Sequence, residues 1–173
     1  MKKKTGSRTA ENSYLMLEGS ILHGDLIEVK TGFKYRNETM DLIRKNMTCS
    51  SGNPMIPFQE NELLDMAIVV HVNSQRFKTQ DLDNVAKVVL DAIKFKDGKE
   101  LYFIGDDNQI VRLLLIKERK NDLPDSETSQ LSISIRKHDP TKEMKLISAG
   151  PFTKEEYNDL EEEAKGEIRL KGK

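Results

Sequence analysis

Thr79-Gln80-Asp81-Leu82-Asp83-Asn84-Val85-Ala86-Lys87-Val88-Val89-Leu90-Asp91-Ala92-Ile93 is the stretch on which the fold turns. Val85, Val88, Val89, Ala92 and Ile93 fall at i, i+3, i+4, i+7 and i+8, the spacing of a helix with one face on a core. Upstream, Leu63 to Val72 is rich in β-formers, and Ala67-Ile68-Val69-Val70-His71-Val72 is short enough to be a buried strand. Downstream, Lys96-Asp97-Gly98-Lys99 signals a turn, and Asn108 to Lys117 reads as a strand, apolar from Ile110 to Ile116 except at Arg112.

Further out, Tyr35 to Met47 carries Met40, Ile43 and Met47 on one stripe and predicts an amphipathic helix. Ser20 to Val29 reads as a strand kinked at Gly24, and Thr48 to Glu60 as a loop. Leu131, Ile133 and Ile135 alternate with Ser132, Ser134 and Arg136, which predicts a half-exposed strand. Thr153, with Glu156 three residues on, caps a predicted acidic helix reaching Lys165. The order implies a small α/β (α+β) domain with a mixed sheet and two core helices over residues 20–140. A polar arm (1–19) precedes it, and an acidic extension (141–173) follows.

The 173 residues hold 28 Lys+Arg against 29 Asp+Glu, a net charge of −1, which argues at face value against a polyanion binder. No apolar run approaches the ~20 residues that cross a bilayer, and no signal-peptide core follows Met1, so a soluble, cytoplasmic protein is expected. The single cysteine, Cys49, has no partner for a disulfide or a zinc site.

Five aspartates cluster near two element junctions: Asp81, Asp83 and Asp91 on the helix, then Asp106 and Asp107 before the next strand. Carboxylates held together need a cation or must stay protonated. Hard oxygen donors favour magnesium or manganese, and such ions suit phosphoryl chemistry. If the two junctions meet at one sheet edge, Asp81, Asp83 and Asp107 are the metal ligands, with Asp106 as a helper. Lys87, ~6 Å along the helix from Asp83, is then placed to reach a phosphate. Asp91, ~12 Å from Asp83, lies too far along and is expected to pair with Lys87. Singly, Asp81 or Asp83 is also an ordinary helix N-cap and Asp106-Asp107 an ordinary turn. Lys30, Lys34, Arg36, Arg44, Lys45, Arg76 and Lys78 are candidate phosphate contacts, with Arg76, Lys78, Lys34 and Arg36 foremost. Phe33, Tyr35 and Phe77 are expected in the core, with stacking on unpaired bases as the alternative.

The string Asp81-Leu82-Asp83-Asn84-x-x-Lys87-x-x-Leu90-Asp91-Ala92-Ile93, followed by Asp106-Asp107-x-Gln109-Ile110 and then Lys117, resembles the signature of the RusA-type Holliday junction resolvases. The resemblance implies a homodimer of small α/β subunits, in a bacterial, prophage or phage setting. Such a dimer cleaves branched DNA with magnesium or manganese during recombination and repair. It also implies essential carboxylates at Asp81, Asp83 and Asp107 and a catalytic lysine at Lys87. The segment between Asp91 and Asp107 is longer than the family pattern. A catalytically inactive branched-DNA-binding module and a metal-dependent phosphohydrolase of small substrates are the alternatives.

The charge balance then reads differently. Residues 151–173 hold 7 acidic and 5 basic residues, leaving 22 and 23 in residues 1–150; setting aside Asp81, Asp83, Asp91, Asp106 and Asp107 leaves 17 acidic against 23 basic. Near-neutrality conceals a basic body around an acidic centre, so DNA affinity is expected to be modest and salt-sensitive.

Overall fold

Nine consecutive buried residues, Leu64–Val72, form the strand around which the rest is arranged. In the computed structural model, which describes residues 14–30, 32–49, 58–98, 102–120, 122–123 and 127–149, they belong to a compact unit spanning Tyr14–Ser148. The described strands are β1 (Tyr14–Leu17), β2 (Leu22–Lys30), β3 (Thr48–Cys49), β4 (Leu64–Val72), β5 (Ile110–Arg119), β6 (Thr128–Lys137) and β7 (Leu146–Ala149). Its α-helices are α1 (Arg36–Asn46), α2 (Ser74–Phe77) and α3 (Leu82–Ile93), and 3₁₀ turns precede α1 (Phe33–Tyr35) and β5 (Asp107–Gln109). The fold is the mixed α/β arrangement expected. The predicted helix over Thr153–Lys165 lies outside the described residues, as does most of the loop after Cys49.

Five strands form one sheet in the order β3-β2-β6-β4-β5, and β1 pairs with β7 in a second. Within the larger sheet β4 and β5 are parallel, in register from Asp65 opposite Arg112 to Val72 opposite Arg119. The β2–β3, β2–β6 and β4–β6 pairs are antiparallel. The β4-α3-β5 connection is therefore a crossover, the link a parallel pair requires.

Residues alternate across β4. Leu64, Met66, Ile68, Val70 and Val72 join the core under α1 and α3, along with Met40, Ile43, Met47, Val85, Val89, Ala92 and Ile93. Burying Val85, Val89 and Ile93 contributes on the order of 2 kcal/mol each, which holds α3 to the sheet. Arg44, a candidate phosphate contact by sequence, is instead buried; its Nε donates to the carbonyl of Ala92 at 2.8 Å and joins α1 to the end of α3.

The kink near Gly24 is a register shift between Gly24 and Ile27, with Leu26 in the left-handed region at φ 44°. A β-carbon on Gly24 would come within 2.6 Å of Ile27 Cδ1 and 2.8 Å of Met47 Sδ, so the Ile27 and Met47 side chains would have to shift to admit one.

β6 departs from its expected half-exposure. Leu131 through Arg136 are all buried, because β6 is central and β1 lies against it. The Leu17 backbone N–H donates to Ser134 Oγ at 2.8 Å, so a serine read as solvent-facing is a buried acceptor. On the same face Asp65, fully buried, accepts from Arg112 Nε at 2.8 Å and Arg136 Nε at 3.0 Å, and its Oδ1 lies 2.8 Å from His138 Nδ1. Burial pushes the Asp65 carboxyl up, but Arg112, His138 and Arg136 together outweigh it and hold the pKa down at about 2.

Candidate functional site

Where β4 ends, Asn73 caps α2 by accepting the Arg76 N–H at 3.0 Å. The chain then reaches Asp81, the N-cap of α3. Asp81 Oδ1 accepts the Asp83 N–H at 2.9 Å, and Oδ2 accepts from Asn84 Nδ2 at 3.2 Å. An ionised carboxylate has about four lone-pair directions, so these bonds leave room for a ligand on an exposed side chain.

A residue of the neighbouring strand sets that cap in place. Lys117, near the end of β5, donates from Nζ to the carbonyls of Phe77 at 2.8 Å and Gln80 at 2.7 Å. The same ammonium lies 5.4 Å from the Phe77 ring centroid, and the Arg119 guanidinium lies 4.4 Å from it. Residues 77–80 are thus bound to β5, and Asp81 follows directly. Lys117 stands in the sequence string, but only the strand order reveals this role.

A cleft of about 360 Å³ opens beside this junction. Its apolar lining is Val29, Phe33, Val85, Val88 and Leu131, and its charged lining is Lys30, Arg36, Arg76, Lys87 and Asp81. Four cations against one carboxylate suit a phosphate group. Arg76 Nη2 donates to Gln80 Oε1 at 2.9 Å, while Arg36 donates to Asp91. The expected Asp91–Lys87 pair is replaced by Asp91 with Arg36 and Lys94, the latter 3.1 Å away. That leaves Lys87 exposed along the cleft. Of the other sequence candidates, Lys34 sits 4.8 Å over the Tyr35 ring, and its hydrogen bond to Tyr35 raises its pKa. Lys78 is the exposed C-cap of α2.

Asp106 and Asp107 lie elsewhere. Because β4 and β5 are parallel, the junction after β4 and the junction before β5 fall at opposite ends of the sheet, with the length of α3 between them. Lys94, the C-cap of α3, lies 3.7 Å from Asp107 Oδ2 and holds it near the level of Asp91. Asp91 is ~12 Å along the axis from Asp83. The structure therefore does not bring Asp107 or Asp106 to Asp81 and Asp83. Among the described residues, no three of His, Cys, Asp and Glu are grouped to hold a metal ion. The cation that neutralises the second acidic group is the chain's own Lys94, whose pKa is raised first by its hydrogen bond to Asp91. Asp106 is held below its ordinary pKa by hydrogen bonds from Asp107 and the Asn108 N–H, with Lys94 adding to the effect.

Gln109 shapes that second turn. Its buried Oε1 accepts from the N–H groups of Gly105 at 2.7 Å and Asp106 at 3.2 Å, and its Nε2 donates to the carbonyls of Gln59 at 2.8 Å and Glu62 at 2.9 Å. A glutamine is needed, since the side chain must accept and donate at once.

Among the described residues, no helix is long and apolar enough to cross a membrane. No protein-family profile and no curated protein matches the chain.

Proposed function

We propose that the chain is a metal-dependent endodeoxyribonuclease of the RusA type, acting as a homodimer on Holliday junctions and related branched DNA. The observation that carries this reading is the convergence of Asp81 and Lys87 with Lys30, Arg36 and Arg76 on one cleft. The cations would hold a phosphodiester against the cleft, and Lys87, one turn into α3, would face charge developing on it. Asp81 presents the carboxylate nearest that phosphate. The set Asp81, Asp83 and Asp107 does not fit a single ion within one chain, because the crossover separates its members. Magnesium commonly takes one or two carboxylates and completes its shell with water and substrate phosphate, a requirement that Asp81, at the cleft, would meet in part, with Asp83 two residues on as the second candidate.

A homodimer, which paired incisions require, has the β5 edge available. β5 pairs only with β4 among the described strands, and its Val111 and Leu113 are 43% and 39% exposed.

The test is incubation of purified protein with labelled four-way, forked and linear duplex DNA, with magnesium, manganese or chelator. Metal-dependent incision of the branched substrates is expected, and Asp81→Asn should slow it by about 10²-fold or more while binding persists. Asp107→Asn discriminates further. Loss in Asp81→Asn alone places the chemistry at the cleft, whereas equal loss in both means that Asp107 reaches the cleft from a second copy. Wild-type cutting by Asp81→Asn would overturn the assignment. Binding without incision would select an inactive junction-binding module. The cleft's volume also suits a small phosphorylated substrate. Release of phosphate from nucleotides with junctions left intact would select that phosphohydrolase reading.

A further inference from the structure

Phe33 is 94% exposed. The other described phenylalanines are all covered to a larger degree. Phe58 and Phe103 are each 5% exposed, Phe95 is half-exposed and packs edge-to-face on Tyr102 at 4.9 Å, and Phe77 carries Lys117 and Arg119 on its ring. The sequence expectation of core packing therefore fails for Phe33. An open phenyl ring gains nothing from the fold, and the turn that carries it is bonded through its neighbours. Gly32, at φ 134°, turns the chain into the 3₁₀ segment and accepts the Tyr35 N–H at 3.1 Å, and the Tyr35 hydroxyl donates to Glu127 at 3.2 Å. Phe33 also lines the cleft together with Lys30, Arg36 and Lys87. A bare ring on a fixed turn, beside cations that suit phosphates, matches the two needs of a single strand: a stacking surface and a charged track.

We propose that Phe33 is a stacking platform for an unpaired nucleobase of the DNA strand whose phosphate occupies the basic cleft. The proposal rests on the nuclease reading and deepens it: the preferred substrate has unpaired or splayed bases next to the bound phosphate, as at the centre of a junction or in a gap. Fully paired duplex offers its π-faces to its own neighbours and leaves Phe33 without a partner.

The chain has no tryptophan, so Phe33→Trp introduces a single indole reporter on an exposed position that the fold does not use. The full-length variant is titrated with a four-way junction, a gapped duplex, a fully paired duplex of equal length and deoxyadenosine monophosphate. Anisotropy of labelled DNA measures binding independently. Stacking quenches the indole with junction and gapped DNA, and at matched occupancy leaves it bright with paired duplex. In parallel, Phe33→Ala should weaken binding to the unpaired substrates about tenfold while duplex binding changes less than about twofold. Binding by anisotropy without quenching, or equal weakening of every DNA by Phe33→Ala, overturns the platform and leaves the nuclease reading standing. Quenching by the mononucleotide alone overturns the strand as occupant. No binding of any DNA by the wild type removes the nuclease reading and the platform together.

Discussion

Two buried titratable side chains on the face of the sheet away from α3 contribute to the acid stability of the molecule. His71 is 4% exposed, and burial, helped by the nearby Lys120 charge, lowers its pKa from an ordinary 6.5 to about 4. Folded His71 is neutral where the unfolded chain would take up a proton. Its contribution is therefore complete above pH 6.5 and is lost as pH falls towards 4, to an extent of about 3 kcal/mol. Asp65, held at about 2 by its arginines and His138, acts over the next window, from pH 3.8 down to 2, and its protonation removes about 2 kcal/mol more. Urea melts between pH 7 and 2 should show two successive losses. His71→Leu should flatten the first and spare the second; if the slope between pH 6.5 and 4 survives that substitution, another group carries it. Neither residue stands out in the sequence. His71 lies inside an apolar run, and Asp65 acquires partners only when β5 and β6 come beside β4.

At the level of elements, what was legible in the sequence is what depends on local spacing. The buried faces of α1 and α3 fall on Met40 and Ile43, with Met47 at the C-cap of α1, and on Val85, Val89, Ala92 and Ile93, because a helix repeats its contacts within one turn. The cap at Asp81 was legible for the same reason. The parting of Asp107 from Asp81 belongs instead to the β4-α3-β5 crossover, which sets β5 parallel to β4 and so puts the two junctions at opposite ends, and not to the local spacing of either junction. In β6, Ser132 and Ser134 alternate as a wet face does, yet β1, drawn from a polar-looking arm, covers them. Lys117 is the element-level device most open to test. Lys117→Met keeps the stem but removes two donors, leaving the Phe77 and Gln80 carbonyls without their lysine partner. A loss of about 1–3 kcal/mol is expected in chemical denaturation. On the nuclease reading, junction incision should fall further than that loss explains, because Asp81 begins where the tether ends. Lys117→Arg should restore stability better than activity, since a planar guanidinium cannot reproduce an ammonium bonded to two converging carbonyls.

Across the whole molecule the decisive quantity is where charge sits, and the cleft is the place where like charges accumulate. Lys30, Arg36, Arg76 and Lys87 line it, but Arg36 is already engaged by Asp91, which also holds Lys94. An internal carboxylate thus competes with any phosphate for one of the four cations. If DNA enters this cleft, each phosphate neutralised releases counterions and steepens the salt dependence of binding by about 0.7 to 0.9 in log units. Arg76→Ala and Lys87→Ala should each weaken binding to all DNAs and lower the salt slope by roughly that amount. Asp91→Asn should do the opposite: with the competing charge gone, Arg36 turns to the phosphate, affinity rises several-fold at low salt, and the slope steepens by about one contact. Measured by anisotropy against potassium chloride concentration, a weaker and shallower Asp91→Asn would mean that Arg36 must be held by Asp91 to meet DNA at all, making the pair a positioning device. The same substitution leaves Lys94 with Asp107, so thermal melts alongside should show whether the far end of α3 loosens. If affinity rises while the melting temperature is unchanged, the gain belongs to the cleft and not to a rearranged helix.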